Sequence, residues 1–256
     1  MKDRISLDER KKIQLQMLEE IDSFCRSHNI KYTIAYGTLI GAIRHKGFIP
    51  WDDDVDLMMP MSDMLRFKSE FESKDLSFCD VETTANYDLP FPRISHSKTF
   101  QRVGKKLCRY GVSIDLYYMI GLPDDDNKVN VFFRKANVLL KIRRFFQRGF
   151  YYIARKIPID SFPCFRTIMM AYRDFFLQTD SYESSKRYFA VAGLPVWKEV
   201  YDFDLFEDLI DVQFEYLTLK ATSKYHEFLT QEYGDYMQLP PEDQRHPYHG
   251  DNYYWK

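Results

Sequence analysis

Residues 36–57 read YGTLIGAIRHKGFIPWDDDVDL, and this stretch decides the fold. It follows a β-rich run, YTIAY at 32–36, which predicts a strand that ends at a glycine–threonine pair. Residues 38–45 then predict a short helix. The run DVDLMM at 54–59 predicts a second strand, because its aspartates alternate with apolar residues. The stretch therefore predicts a strand, a tight turn, a helix and an acidic strand in succession.

Two of the four aspartates at 52–54 and 56 are the main candidates for chemistry. Asp54 and Asp56 lie two residues apart on the predicted strand, so their side chains should point to the same face. Two carboxylates followed by a buried apolar run are costly unless a cation or another partner neutralises them, and a hard divalent cation suits oxygen ligands. The sequence leaves open whether Asp52 and Asp53 join this site or form a solvated acidic loop.

A third carboxylate stands inside another predicted strand, VSIDLYYMI at 112–120. One interpretation of Asp115 is a structural hydrogen bond to a loop backbone. The functional interpretation places it next to the strand of Asp54 and Asp56, where it completes a metal site or takes a proton from an acceptor hydroxyl. We therefore predict these three aspartates as catalytic residues and as ligands of Mg²⁺ or Mn²⁺.

The turn and the helix supply candidates for binding a phosphate group. Backbone N–H groups at Gly37 and Thr38 open the predicted helix, and a helix N-terminus is a ready phosphate site. Arg44 and Lys46 would neutralise phosphate charge, although both also fit as ordinary surface cations. Trp51 either stacks on a base or sugar or anchors its loop in the core. A strand, a Gly-Thr turn, a helix and an Asp-x-Asp strand form the layout of the nucleotidyltransferase superfamily.

Three blocks of the sequence closely resemble the LicD family of phosphotransferases, which is related to fukutin and fukutin-related protein. The blocks are the run at 36–57, Ile-Asp-Leu-Tyr at 114–117 and YGDYMQLPP at 233–241. They occur in the order that the family has. The resemblance implies an α+β fold with a nucleotidyltransferase-like core, in which a mixed sheet is flanked by helices, together with a helical insertion and a C-terminal lobe.

The resemblance also implies a reaction. Family members similar to this chain transfer phosphocholine from CDP-choline to cell-surface sugars. We therefore expect a Mg²⁺-dependent transferase that moves an alcohol phosphate from a CDP-activated donor onto a glycan hydroxyl, or onto its lipid-linked precursor, and releases CMP. CDP-glycerol, CDP-ribitol and CDP-ethanolamine are alternative donors. A true nucleotidyltransferase and a catalytically inactive binding module are the alternative classes.

The pattern along the chain predicts three parts: a catalytic core at 1–125, a basic helical insertion at 126–200 and a C-terminal lobe at 201–256 that completes the site. Between 127 and 159 nine lysines and arginines occur with no acidic residue, in an aromatic-rich helical pattern. This stretch predicts peripheral contact with an anionic membrane surface. The alternative is a helical hairpin whose apolar face packs on the core.

Composition excludes several other classes of protein. The 256 residues are 45% hydrophobic, which is enough for a core, and the net charge of −2 gives no field for nucleic acid. The N-terminal residues contain no apolar signal segment, and no apolar run reaches the roughly 18 residues of a membrane span. Four scattered cysteines suggest neither a disulfide framework nor a zinc site. We therefore expect a cytoplasmic protein, at most peripheral at the inner membrane face.

Overall fold

The computed structural model describes residues 3–84, 87, 89–103, 107–154, 163–178, 184–192, 197–247 and 252–256. The fold is α+β, with a mixed sheet flanked by helices, which confirms the fold class expected from the sequence. The strands are labelled β1 to β12 in chain order. They are Thr33–Ile34, Asp56–Pro60, Leu76–Cys79, Arg93–His96, Thr99–Val103, Leu107–Arg109, Ser113–Leu122, Arg187–Ala190, Val200–Asp202, Leu209–Phe214, Leu217–Thr222 and Tyr253–Trp255. The helices α1 to α6 are Leu7–Ser27, Tyr36–Ile40, Met61–Glu70, Asp126–Ala154, Pro163–Leu177 and Tyr225–Tyr233.

The main sheet has seven strands, and β7 is its centre. The order β1-β2-β7-β4-β3 forms one path through it. Strands β2 and β7 are parallel, with Asp56 opposite Asp115, whereas β4 runs antiparallel to β7 on its other side. The far half of β7 pairs with β8, which pairs with β9. The parallel β2–β7 pair therefore brings two predicted site residues onto neighbouring strands.

Helix α1 begins as its sequence predicts. The Ser6 side chain accepts a hydrogen bond of 3.2 Å from the backbone N–H of Glu9, which satisfies one free donor of the first turn. The apolar residues Ile13, Met17 and Ile21 recur at helical spacing and are buried. This face fixes α1 against the sheet, and its polar residues are free to support the loop before β2.

The first predicted strand is much shorter than the sequence suggests, and the second begins later. β1 covers only two residues because Tyr36 adopts a φ of 45°, which ends the extended backbone and starts α2. With so short a partner, β2 begins at Asp56, so the expectation that Asp54 lies on the strand is wrong. The prediction of a short helix at 38–45 is also wrong for its second half, because Gly41–His45 is a π-helical turn.

Helices α4 and α5 occupy most of the predicted insertion, and the chain then returns to the core sheet through β8. Phe132 of α4 stacks on Phe175 of α5, and Phe133 of α4 packs edge-on against Phe189 of β8. The three-part division of the chain stays a prediction. Of the basic stretch at 127–159, the last five residues lie outside the described residues. In the described part of the chain no helix combines the length and apolar character needed to cross a membrane.

Candidate active site

Helix α1 holds the loop that carries the aspartates. Lys11 donates hydrogen bonds from Nζ to the carbonyl oxygens of Ile49, at 3.1 Å, and Pro50, at 3.0 Å. Arg10 forms an ion pair of 2.6 Å with Asp53, and both side chains are buried. Because this carboxylate is neutralised inside the protein, Asp53 anchors the loop and is not part of a solvated acidic run.

The other three aspartates of the run lie close together. Burial, and then the neighbouring carboxylate of Asp54, raise the pKa of Asp52 to about 8. Burial and the charges of Asp54, Asp115 and Asp52 raise the pKa of Asp56 well above its ordinary value. A Cβ atom at Gly37 would lie 2.8 Å from Asp52 Oδ2, so the glycine leaves room for this carboxylate. Once ionised, these groups need a counter-charge.

Asp115 adjoins this cluster but already has a cationic partner. It lies opposite Asp56 on one neighbouring strand and opposite Arg93 on the other. Arg93 Nη2 donates to Asp115 Oδ2 at 2.7 Å, and Arg93 Nε contacts the second carboxylate oxygen, which makes a two-pronged buried ion pair. The hydroxyl of Tyr117 lies 3.2 Å from Asp56 Oδ1 and 3.4 Å from Asp115 Oδ2. Tyr117 therefore links the ion pair to the cluster.

These carboxylates suit a hard divalent cation. Asp52, Asp53 and Asp54 each offer a carboxylate oxygen, and the three oxygens lie within 4.8 Å of one another. Asp53 is engaged by Arg10, whereas Asp56 is buried and shares the electrostatic environment of Asp52 and Asp54. Asp52 and Asp54 thus offer oxygens within 4.8 Å of each other, and Asp56 adds a neighbouring carboxylate of the kind that Mg²⁺ or Mn²⁺ binds.

A cleft of about 540 Å³ opens between the aspartate loop and the segment that follows α6. The residues that line it on the loop side are Gly37, Arg44, Trp51 and Asp52. The opposite wall includes Tyr233, Asp235 and Tyr236 from the third sequence block. The guanidinium of Arg245 lies over the ring of Trp51, at 5.5 Å from its centroid. The cleft therefore joins the first and third blocks of the sequence.

The predicted phosphate-binding residues occupy different positions relative to this cleft. Arg44 lines it, but its Nη1 donates to the carbonyl oxygen of Tyr236 at 2.7 Å and so ties the C-terminal segment to the π-helical turn. The Thr38 hydroxyl accepts a hydrogen bond of 2.9 Å from the backbone N–H of Asp56 and therefore supports the start of β2. Lys46 is exposed and does not belong to the described lining of the cleft.

A second acidic cluster lies beside the first. Tyr36 donates a hydrogen bond of 2.7 Å to Glu199 Oε2. The Tyr201 hydroxyl lies 3.0 Å from the same oxygen and 2.6 Å from Glu232 Oε1. Burial and the charge of Glu232 raise the pKa of Glu199. Two carboxylates thus meet at the hydroxyl groups of two tyrosines.

Lysine and tyrosine side chains border this second cluster. Lys198 Nζ lies 3.5 Å from Glu232 Oε2 and 5.9 Å from the centroid of the Tyr233 ring. Burial, and then the charges of Asp56 and Glu232, raise the pKa of Tyr233, so this residue stands between the two acidic groups. The ring of Tyr36 also packs edge-on against Tyr117, with centroids 5.4 Å apart. The two clusters are therefore contiguous.

Sequence reasoning missed several of these residues, for different reasons. Asp52 was left open because an acidic run gives no sign of which carboxylate turns inward. Tyr233 begins the sequence block at 233–241, so the sequence did contain a signal that this residue lies next to a candidate site. Glu199 and Glu232 had none, because they meet only through the packing of β9 against α6. Arg93 likewise becomes visible only through the register of β4 and β7.

The sequence of the chain is similar to that of known proteins. Residues 29–138 match the nucleotidyltransferase domain model of LicD, FKTN and FKRP. The chain is 27% identical to the lipopolysaccharide cholinephosphotransferase LicD of Haemophilus influenzae, over 96% of this chain and 97% of that protein. An uncharacterised protein of Rickettsia typhi is 39% identical over 66 residues, which cover 25% of this chain and 21% of that protein. Residues 29–138 are therefore similar to the nucleotidyltransferase domain of the LicD family, and the similarity to a lipopolysaccharide cholinephosphotransferase extends over nearly the whole chain.

Proposed function

We propose that the protein transfers phosphocholine from CDP-choline to a hydroxyl of a cell-surface glycan, or of its lipid-linked precursor, and releases CMP. One observation carries the proposal: Asp52 lines a cleft, with Asp54 and Asp56 next to it, in a chain that is similar, over 96% of its length, to a lipopolysaccharide cholinephosphotransferase. Clustered carboxylates suit transfer between phosphate esters, in which charge neutralisation and positioning supply most of the catalysis.

In this proposal Asp54 and Asp56 hold a divalent cation, Mg²⁺ or Mn²⁺, with Asp52 next to them. When bound, such a cation neutralises charge on the donor diphosphate and polarises its phosphoryl oxygens. Gly37 lines the cleft without a side chain, so its backbone is a candidate contact for the diphosphate. Trp51 is the candidate platform for the cytosine ring, and exposed Lys46 stays a candidate phosphate contact.

The chemical step exchanges one phosphate ester bond for another. The acceptor hydroxyl oxygen attacks the phosphorus that carries choline, and the bond from that phosphorus to the bridging oxygen breaks. CMP leaves with this oxygen. The hydroxyl proton passes to the carboxylate of Asp52, because this side chain lines the cleft. Asp115 keeps its pair with Arg93 and positions Asp56 through Tyr117, and a direct role as base or metal ligand is the alternative.

The second acidic cluster favours a cationic alcohol over glycerol or ribitol. Glu199 and Glu232 bring two carboxylates together with the hydroxyls of the aromatic residues Tyr36 and Tyr201, and Lys198 Nζ lies 3.5 Å from Glu232. Aromatic faces and carboxylates are the groups that hold quaternary ammonium ions in proteins. We propose that the trimethylammonium group of choline binds here, beside the aspartates that act on its phosphate.

A donor screen tests the proposed reaction. Purified protein with Mg²⁺ would be incubated with CDP-choline, CDP-ethanolamine, CDP-glycerol or CDP-ribitol, and CMP release would be measured by chromatography. We expect CMP from CDP-choline at the highest rate, accelerated by a glycan acceptor. Release of pyrophosphate from a nucleoside triphosphate would instead identify a nucleotidyltransferase. Absence of CMP from all four donors, with Mg²⁺ binding intact, would support an inactive binding module.

Calorimetry tests the position of the choline group separately. Glu232→Gln should weaken binding of CDP-choline by on the order of tenfold and leave binding of CDP unchanged, because CDP lacks the cation. Glu227→Gln is the matched control, since Glu227 lies on the same helix, carries the same charge and is exposed. Equal binding of CDP-choline by the wild type and Glu232→Gln would reject this subsite without affecting the assignment of the reaction.

A further inference from the structure

Over residues 126–146, where the side chains of helix α4 are described, the helix has two apolar faces, one buried and one exposed. Val129, Phe133, Ala136 and Leu140 recur at helical spacing and are buried in the core. Helical geometry places a second apolar set on the opposite side, half a turn away. This set, which we call the outer stripe, consists of Val131, Val138, Ile142 and Phe145.

The outer stripe is exposed along its length. The exposed fractions are 44% for Val131, 56% for Val138, 41% for Ile142 and 75% for Phe145. The residues lie seven, four and three positions apart, so they form one continuous line of about 21 Å along the helix. Scattered exposed apolar residues are ordinary, but an aligned row that ends in an exposed phenylalanine marks an interaction surface.

Cationic side chains border the outer stripe on both sides. By helical geometry Lys128 and Lys135 fall on one flank and Arg134 and Lys141 on the other. All four are exposed. No acidic residue occurs between 127 and 146, although the whole chain has a net charge of −2. The positive charge is therefore local to this helix face and lies beside its apolar row.

We infer that the outer stripe is a docking surface for an anionic lipid bilayer. An apolar row with basic flanks is the pattern by which helices lie in the interface of an anionic membrane. A second copy of the chain fits less well, because pairing two such faces would bring their lysines and arginines together without any carboxylate to balance them. The other face of α4 is buried in the core, as the alternative prediction of a packed helical hairpin expects. Core packing and an exposed apolar row therefore occur on the same helix.

The docking surface adjoins the candidate active site through a short series of contacts. Trp197 Nε1 donates a hydrogen bond of 3.0 Å to Asn130 on the first turns of α4, and its ring packs against Phe133. Two residues further along, Glu199 accepts the hydrogen bond from Tyr36. A bilayer at α4 would therefore hold a lipid-linked acceptor near the second acidic cluster. The docking itself does not depend on which donor is used.

Co-sedimentation with lipid vesicles tests this inference on the full chain. Vesicles of phosphatidylglycerol and phosphatidylcholine would be compared with vesicles of phosphatidylcholine alone, at low and high salt. We expect binding to the anionic vesicles only, weakened by salt. Arg134→Gln/Lys135→Gln/Lys141→Gln should reduce the partition coefficient by roughly 100-fold. Phe145→Ser should reduce it by roughly tenfold.

Two matched controls separate docking from general effects of charge and apolar area. Lys12→Gln/Lys31→Gln/Lys74→Gln removes the same charge from exposed positions elsewhere, and Tyr216→Ser removes an aromatic ring that is 65% exposed. Both should bind anionic vesicles like the wild type. No binding at low salt, equal binding to both kinds of vesicle, or equal losses in the α4 and control variants would overturn the inference. A dimer in analytical ultracentrifugation that Phe145→Ser dissociates, without vesicle binding, would also overturn it.

Discussion

At the scale of single residues, the aspartates of one short loop have different environments. Asp53 is paired with Arg10 inside the protein, whereas Asp52 lines the cleft and Asp56 is buried at the start of β2. The same type of side chain therefore serves as an anchor in one position and as a candidate ligand one or three positions away. Asp53 is distinguished by its buried ion pair with Arg10.

The first prediction concerns Asp54 and Asp56. Asp54→Asn or Asp56→Asn should lower CMP release by on the order of 1000-fold, because a neutral amide no longer holds the cation that offsets phosphate charge. Circular dichroism should be unchanged. Asp208→Asn, at an exposed position, is the control and should keep full activity. If either Asp54→Asn or Asp56→Asn turns over at a rate near that of the wild type, the assignment of these two residues as metal ligands is wrong.

The second prediction separates two roles for Asp115. If it mainly balances Arg93, Asp115→Asn should cost about 3–5 kcal/mol of unfolding free energy, because a buried guanidinium loses its partner. Adding Arg93→Gln should recover part of this loss, which denaturant titration of the single and double variants would measure. If Asp115 is instead the base or a metal ligand, Asp115→Asn should be as stable as the wild type and lose about 100-fold or more in turnover.

At the scale of elements, the site depends on how β1, α2 and β2 meet. Tyr36 ends β1 with a positive φ, α2 follows immediately, and the Thr38 hydroxyl returns to the first backbone N–H of β2. This contact fixes where Asp56 leaves the loop. A hydroxyl predicted to bind phosphate therefore supports the backbone of a candidate metal ligand.

The third prediction follows from this contact. Thr38→Val keeps the shape of the side chain but leaves the buried N–H of Asp56 without its acceptor, which should cost about 1–3 kcal/mol of unfolding free energy. Turnover should fall with it, because Asp56 loses its fixed position. Thr38→Ser keeps the hydroxyl and should retain stability and activity within a few-fold. If Thr38→Val and Thr38→Ser behave alike, the hydroxyl does not hold this junction.

The sequence predicts the elements of the core well but not their exact ends. The apolar run at 112–120 identifies β7 to within two residues, since burial selects such a run. The start of β2 and the π-helical turn depend on a two-residue partner strand and on the conformation of Tyr36, which no local pattern contains. Pairings across the sheet, such as Arg93 with Asp115, depend on register and so lie beyond a reading of the sequence alone.

At the scale of the whole molecule, negative and positive charge are separated. The carboxylates of the two acidic clusters gather at the candidate active site, whereas the exposed lysines and arginines of α4 carry a local positive charge within a chain of net charge −2. Folding therefore confines several carboxyl groups in one buried place. The free energy needed to ionise them there should make the stability of the protein depend on pH and on a bound cation.

The fourth prediction gives the direction of that dependence. The pKa of Asp52 is about 8 in the folded protein, against an ordinary value near 3.8. Between about pH 4 and pH 8 the unfolded chain thus releases a proton that the folded protein retains, so the free energy of unfolding falls as pH rises through this window. In EDTA the melting temperature should be lower at pH 8 than at pH 5.5. A divalent cation requires ionised carboxylates, so Mg²⁺ should stabilise the protein mainly at pH 8.

Differential scanning calorimetry at both pH values, with EDTA or Mg²⁺, measures this linkage. At a concentration of about one hundred times its dissociation constant, Mg²⁺ should raise the melting temperature at pH 8 by about 5–10 °C and by much less at pH 5.5. Asp52→Asn removes a carboxyl group that is costly to ionise, so it should melt higher than the wild type in EDTA at pH 8 and respond less to Mg²⁺. A wild type that becomes more stable from pH 5.5 to pH 8 in EDTA, together with an unchanged response in Asp52→Asn, would contradict the proposal that these carboxylates form a cation site.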